Sequence, residues 1–288
     1  MGLIANLKAQ RAYSLHGKGQ TEEARKLYKE AIDSGCDQPR YILAYCLLII
    51  RAGEYEEAKQ RLIKLQKNPM LTPEQKSNLF VYYSVCAFRL GEIDKGIHLL
   101  ERQSAKQPTG QLYQTLGYLY VEKFDLNHLP DFEALDRAEQ EKREAAALAE
   151  AEENGEGNAE APPVAEGPPV ILSAREKYDA HREKAEAFLK EAIDYDDEDS
   201  VCLDNYAQFL YRCDGDEEAA RPWFEKALAI KDTQIDTLWF LSRYDLKEGK
   251  RQQAIQRLEQ ASKGRFSPLN FATKELVDSE LKTLKLKA

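Results

Sequence analysis

Apolar positions along this chain recur with a helical period. Counting from Gly19, Gly53, Gly91, Gly215 and Gly249, a small residue stands five places on, at Ala24, Ala58, Gly96, Ala220 and Ala254. A large apolar residue stands nine places on, at Tyr28, Leu62, Leu100, Phe224 and Leu258, and twelve places on stand Ala31, Leu65, Gln103, Ala227 and Ala261. Offsets of five, nine and twelve share one face of an α-helix. Small residues there let a neighbouring helix approach, and large ones fill the space between helices. Ahead of each glycine a second helix is expected, with Ala12, Cys46, Ser84, Ala207 and Ser242 near its middle. These lie seven positions before the glycine, except Ala207, which lies eight before Gly215. The glycine suits a tight turn between two antiparallel helices.

Gly19 to Gly53 and Gly215 to Gly249 each span 34 residues, and Gly53 to Gly91 spans 38. A helix–turn–helix of this length and pattern resembles the tetratricopeptide repeat (TPR) family, over about six units and most of the chain. The resemblance implies an all-α fold, an α-α superhelix (TPR solenoid), here with an inserted charged helix and a disordered linker. Units one to three and the first helix of unit four are expected over 1–122, where GQLYQTLGYLYVEK carries Tyr113, Leu116, Gly117 and Tyr120. An acidic insertion follows over 123–172. The second helix of unit four, with Ala185, Leu189 and Ala192, leads into units five and six over 173–267. Residues 268–288 form a capping helix with Val277, Leu281 and Leu284 on one side, as the open end of a solenoid requires. Three departures from the pattern are the extra residue before Gly215, Pro222 early in a helix, and Asp245 at a usually apolar place.

The net charge of −9 is concentrated in one segment. Residues 131–166 hold twelve acidic groups and three basic ones, so the rest of the chain is neutral. DFEALDRAEQEKREAAALAEAEEN reads as a solvated helix, because its apolar residues are few and small. It lacks the sustained leucine heptad of a coiled coil. Residues 153–171, rich in Gly and Pro, read as a disordered linker. The acidity argues against a nucleic-acid backbone as partner. The longest apolar run, Tyr41 to Ile50, has ten residues, too few to span a bilayer. MGLIANLKAQR lacks a signal-peptide core, and Asn6 stands where myristoylation needs Ser or Thr. A cytoplasmic protein is expected.

No chemistry-bearing motif emerges, and neither an enzyme nor a cofactor is expected. His16, His98, His128 and His181 are scattered, and the five cysteines show no Cys-x-x-Cys spacing, so no metal site is expected. Asp194 to Ser200 lacks the glycine and the closing glutamate of a calcium loop and reads as a solvated connection. A peptide-sensing regulator, a self-associating structural repeat protein and an enzyme with an unrecognised site are the alternatives to an interaction scaffold.

In TPR proteins the first helix of each unit lines the concave face, which holds a peptide or extended segment. Here that resemblance implies a groove of Leu43, Leu47 and Ile50 from unit two, Val81, Val85 and Phe88 from unit three, Tyr13 from unit one, and Gln114 and Tyr118 from unit four. Arg51 and Arg89 would rim it. Units five and six present a more polar face of Asp204, Gln208, Arg212, Arg243 and Lys247. An apolar patch of this kind marks an interface. Three occupants stay open: a protein or peptide partner, one of the chain's own elements such as part of the insertion, or a second copy in a homodimer. The Lys/Asn clamp of TPR domains that grip chaperone tails is missing, since Ala12 follows Lys8.

Overall fold

The computed structural model describes residues 2–154 and 172–286, which form fourteen α-helices and, among the described residues, no strand. Five consecutive hairpin pairs and one interrupted pair build the superhelix. They are α1 (Gly2–Gly17) with α2 (Thr21–Asp33), α3 (Pro39–Arg51) with α4 (Tyr55–Leu65), and α5 (Pro73–Arg89) with α6 (Ile93–Ser104). Next come α7 (Gly110–Phe124) with α9 (Ala174–Tyr195), α10 (Ser200–Gln208) with α11 (Glu217–Ile230), and α12 (Ile235–Lys247) with α13 (Arg251–Ser262). The insertion helix α8 (Phe132–Asn154) stands between α7 and α9, and α14 (Lys274–Leu286) closes the end.

Local chemistry sets the helix boundaries. Thr72 and Gln75 form a reciprocal capping box at α5, as do Ser173 and Glu176 at α9, each satisfying two otherwise unpaired amides. Asp199 caps α10 by accepting from the Val201 and Cys202 amides. In four of the repeat turns the glycine takes a positive φ of 75–82°, and the next residue's N–H reaches back five positions, as Glu54 does to Ile49. At Gly215 the reach is six, from Asp216 to Leu210. The extra residue in unit five is absorbed there as a π-helical turn over Phe209–Cys213, which continues α10.

The predicted small and large positions pack as expected. Ala24, Tyr28, Ala58, Leu62, Leu100, Ala220, Phe224, Ala254 and Leu258 are fully buried. Leu116 and Leu189 share one core cluster, so the interrupted fourth hairpin closes across its insertion. Gly117 is required there: a β-carbon would lie 3.0 Å from both Leu189 Cδ2 and Asn205 Nδ2. Asp245, the apolar-site departure, is buried but paired with Arg257 at 2.7 Å. Val277 is buried against α13, with Leu281 and Leu284 packed beside it.

The start of the insertion docks on the body. Phe132 meets Tyr178 edge-on at 5.2 Å, the Ala174 amide donates to Asp136, and Lys177 pairs with Glu139. Beyond that, α8 is charged and exposed as far as Ala149, as its composition implied. It runs to Asn154, so Glu153 and Asn154 are helical; residues 155–171, the remainder of the expected linker, lie outside the described residues.

The concave groove as candidate functional site

Five first helices, α3, α5, α7, α10 and α12, surround one cavity of about 430 Å³, and no second helix contributes a wall. One side is apolar, with Leu47 and Ile50 from α3, Val81 and Val85 from α5 and Tyr118 from α7. The opposite side is polar, with Asp204 and Asn205 from α10 and Gln234 and Asp236 at the start of α12. Arg51, Lys231 and Arg265 stand exposed at its mouth.

A third wall is the segment joining α13 to α14, here called the strap (residues 263–273). Pro268, Leu269 and Asn270 line the cavity, and Leu269 packs against both large core clusters. Arg89 donates to the Pro268 carbonyl. Asp236 receives three donors from the strap: Asn270 Nδ2 at 3.1 Å, the Phe271 amide at 3.2 Å and the Ala272 amide at 2.9 Å. The Phe271 ring stacks on Phe240 at 5.3 Å, and the Arg212 guanidinium sits 4.0 Å from its centroid. One of the chain's own elements therefore covers part of the groove, and among the described residues it is this connection near the C-terminal helix.

A buried polar ladder runs along α10. Thr237 donates to Asp204, Gln208 Nε2 donates to Asp204 Oδ2 at 2.7 Å, and Arg212 Nη1 donates to Gln208 Oε1 at 3.0 Å. Arg212 then reaches α7, donating through Nε (2.9 Å) and Nη2 (2.7 Å) to Asp125 and pairing with Glu122 at 2.8 Å. Burial opposes the charge on Arg212, but Glu122 and Asp125 more than offset this and raise its pKa. Asp204 has no such partner. Burial first, and then the Asp236 charge, push its carboxyl well above the usual carboxylate range. Burial does the same to Asp236, against the pull of its strap donors.

A pH dependence follows, with a defined sign. A carboxyl whose pKa is raised by folding binds more protons in the native state, so its contribution to stability falls as pH rises from about 4 to about 7. Lowering the pH from 7.5 to 5.5 should thus stabilise the chain by roughly 1–2 kcal/mol through this pair. His16 works the other way, because partial burial, then Arg51 and Arg265, hold its pKa below the usual value. Near pH 4 and below, protonation of Asp125, held low by its amide and Arg212 bonds against its burial, reverses the trend. Urea denaturation across this range should show the dependence flattened in Asp204→Asn; equal slopes in both proteins would refute it.

This arrangement of stacked hairpins is seen in solved structures of low sequence identity. TTC0263, described as a thermophilic TPR protein in Thermus thermophilus, is 16% identical and superposes with a TM-score of 0.55 over 86% of this chain and 100% of its own. PilW, described as a widely conserved type IV pilus biogenesis factor, is 13% identical, with a TM-score of 0.56 over 97% and 99%. The chain has the tetratricopeptide-repeat fold. A human IFIT1 dimer with PPP-AAAA also aligns, at 18% identity and a TM-score of 0.56, but this chain spans 54% of its length. No protein-family model matches the chain, and no curated protein matches it either.

Within the TPR groove, the cavity gathers Leu47, Ile50, Arg51, Val81, Val85, Gln114 and Tyr118. Four other groove candidates lie apart from it. Leu43 is buried in the N-terminal cluster, and Phe88 packs edge-on against Tyr118. Arg89 is engaged by the strap. Tyr13, 49% exposed, stands at the N-terminal end against Tyr41 and Arg40. Gln114, which lines the cavity, donates to Asp199 at 2.7 Å. Asp204 and Arg212, placed on the polar face, are buried, and Asp236 and the strap had no sequence signal of their own. The five cysteines are buried and reduced; burial, their leading perturbation, pushes Cys46, Cys86 and Cys213 up to about 12, so they carry no reactive thiolate. Among the described residues no cluster of His, Cys, Asp or Glu is placed to hold a metal. Nor is any described helix long and apolar enough to cross a membrane.

Proposed function

We propose that the chain is a non-enzymatic protein-interaction scaffold whose TPR groove receives a short segment of a partner protein beside the strap. The observation that carries this reading is the cavity of about 430 Å³, which the strap leaves unfilled. Its volume and its mix of apolar and polar walls match those of ligand sites, which hold a few side chains and orient them by sparse polar groups. Leu47, Val81 and Val85 would bury an apolar side chain, and Arg51 at the mouth would orient the backbone. Asp204 and Asp236 in the polar wall disfavour a phosphate backbone, so the PPP-AAAA named with human IFIT1 is not carried over to this groove.

Panning a random-heptapeptide phage library on the purified chain tests the proposal. Enriched peptides should bind at least about tenfold more weakly to Leu47→Asp, which places a charge in the apolar wall. Leu47 is only half-buried, so the fold should tolerate the change, as a thermal melt will show. Absence of enrichment, or peptides indifferent to this substitution, would overturn the reading.

A further inference from the structure

The charge around the groove does not balance. In and beside its polar half lie four carboxylates, the buried Asp125, Asp204 and Asp236 and the partly buried Glu122, against one buried base, Arg212. Arg212 is committed to Glu122 and Asp125, which lie on the far side of Gln208 from the cavity. Asp204 and Asp236 line the cavity itself, and every hydrogen bond they accept comes from a neutral donor: Thr237 and Gln208 for the first, Asn270 and two strap amides for the second. A carboxylate offers about four acceptor positions, so both can take a further donor. The bases nearest in the lining, Arg51, Lys231 and Arg265, are exposed at the mouth, where water screens them.

We propose that the partner segment inserts a lysine or arginine side chain into the cavity, its cation held beside Asp204 and Asp236 and its aliphatic stem lying on Val81, Val85 and Tyr118. This deepens the scaffold reading and rests on it. The geometry favours a long basic side chain because its two parts match the two walls: the methylenes of lysine or arginine bury against apolar surface while the charged head reaches polar groups. A neutral side chain would gain nothing from the charge of this pair, and an acidic one would add to its repulsion. The bases at the mouth add selection of a different kind, favouring an acidic or neutral residue next to the inserted one and disfavouring a run of basic residues.

The same selected peptides provide the test. Those that depend on Leu47 should share one lysine or arginine. Replacing that residue by norleucine, which keeps the stem and removes the charge, should weaken binding at least about tenfold, as truncating one member of a desolvated charge pair does. Asp204→Asn should impose a loss of the same order, and the norleucine peptide should lose nothing further on that variant, because the two changes delete one interaction. Asp204→Asn keeps the size of the side chain, and a thermal melt checks that it folds. Leu47-dependent peptides lacking a basic residue, or affinities unchanged in Asp204→Asn, would sink this inference and leave the scaffold reading standing. Absence of any Leu47-dependent peptide would sink both.

Discussion

Arg212→Ala should cost about 3–5 kcal/mol of unfolding free energy, the range seen when one member of a buried ion pair is removed. The guanidinium serves two carboxylates at the C-terminal end of α7, the Gln208 amide on its own helix and the Phe271 ring of the strap. Its loss strands Asp125, which is almost wholly buried and keeps only the Asn127 donors, and leaves Glu122 without its cation. Because α7 belongs to the interrupted fourth unit and Arg212 to the fifth, this one side chain fastens the solenoid where the insertion weakens continuity. For a protein of ordinary stability, about 5–15 kcal/mol in total, the loss is a large fraction. Urea denaturation read by far-ultraviolet circular dichroism measures it. Arg212→Lys should recover only part, because an ammonium cannot reproduce the paired Nε and Nη2 bonds to Asp125 or stack on Phe271. A variant Arg212→Ala as stable as the parent would mean the ladder is ornamental to the fold.

Much of the architecture could be read along the chain because repeats write the same physics several times. A small residue five places after a turn glycine and a large one nine places after it are local rules, and each holds whatever the distant chain does. Even the irregularity in unit five was visible as one extra residue between Ala207 and Gly215, although its structural form, a π-turn, was not. The polar ladder was half legible. Asp204, Gln208 and Arg212 are spaced four apart, so they had to share a helix face, and their side chains make that face polar. Its burial was invisible because the cover comes from elements far away in sequence, α7 on one side and the strap on the other. The strap itself carries no period: FSPLN has neither helical nor alternating rhythm, and its role comes from where Leu269 and Phe271 land. Gln114 shows the same limit from the other direction. Its position on α7 was predictable, but Asp199, which occupies its amide, comes from a connection 85 residues on.

The strap yields the second large effect. Phe271→Ala should lower stability by about 2–4 kcal/mol, less than a fully enclosed phenylalanine because the ring is only partly buried. The ring is held by Phe240 at 5.3 Å, Trp239 edge-on at 5.3 Å and the Arg212 cation at 4.0 Å, and truncation removes all three together. The damage should stay local. Helix α14 has its own cluster, built on Val277 with Ile235, Leu238 and Leu258, and Glu280 ties it to Trp239 and Arg243. Hydrogen exchange followed by mass spectrometry should therefore show protection lost at Phe271 and Ala272, whose amides no longer find Asp236, while amides of α14 and α13 stay protected. Loosening the strap also enlarges the groove beside Asp236, so peptides that bind the parent chain should associate faster with Phe271→Ala. Loss of protection throughout α14 would instead make the strap and cap one cooperative unit. In that case the groove could not open at the strap without unravelling the end of the superhelix.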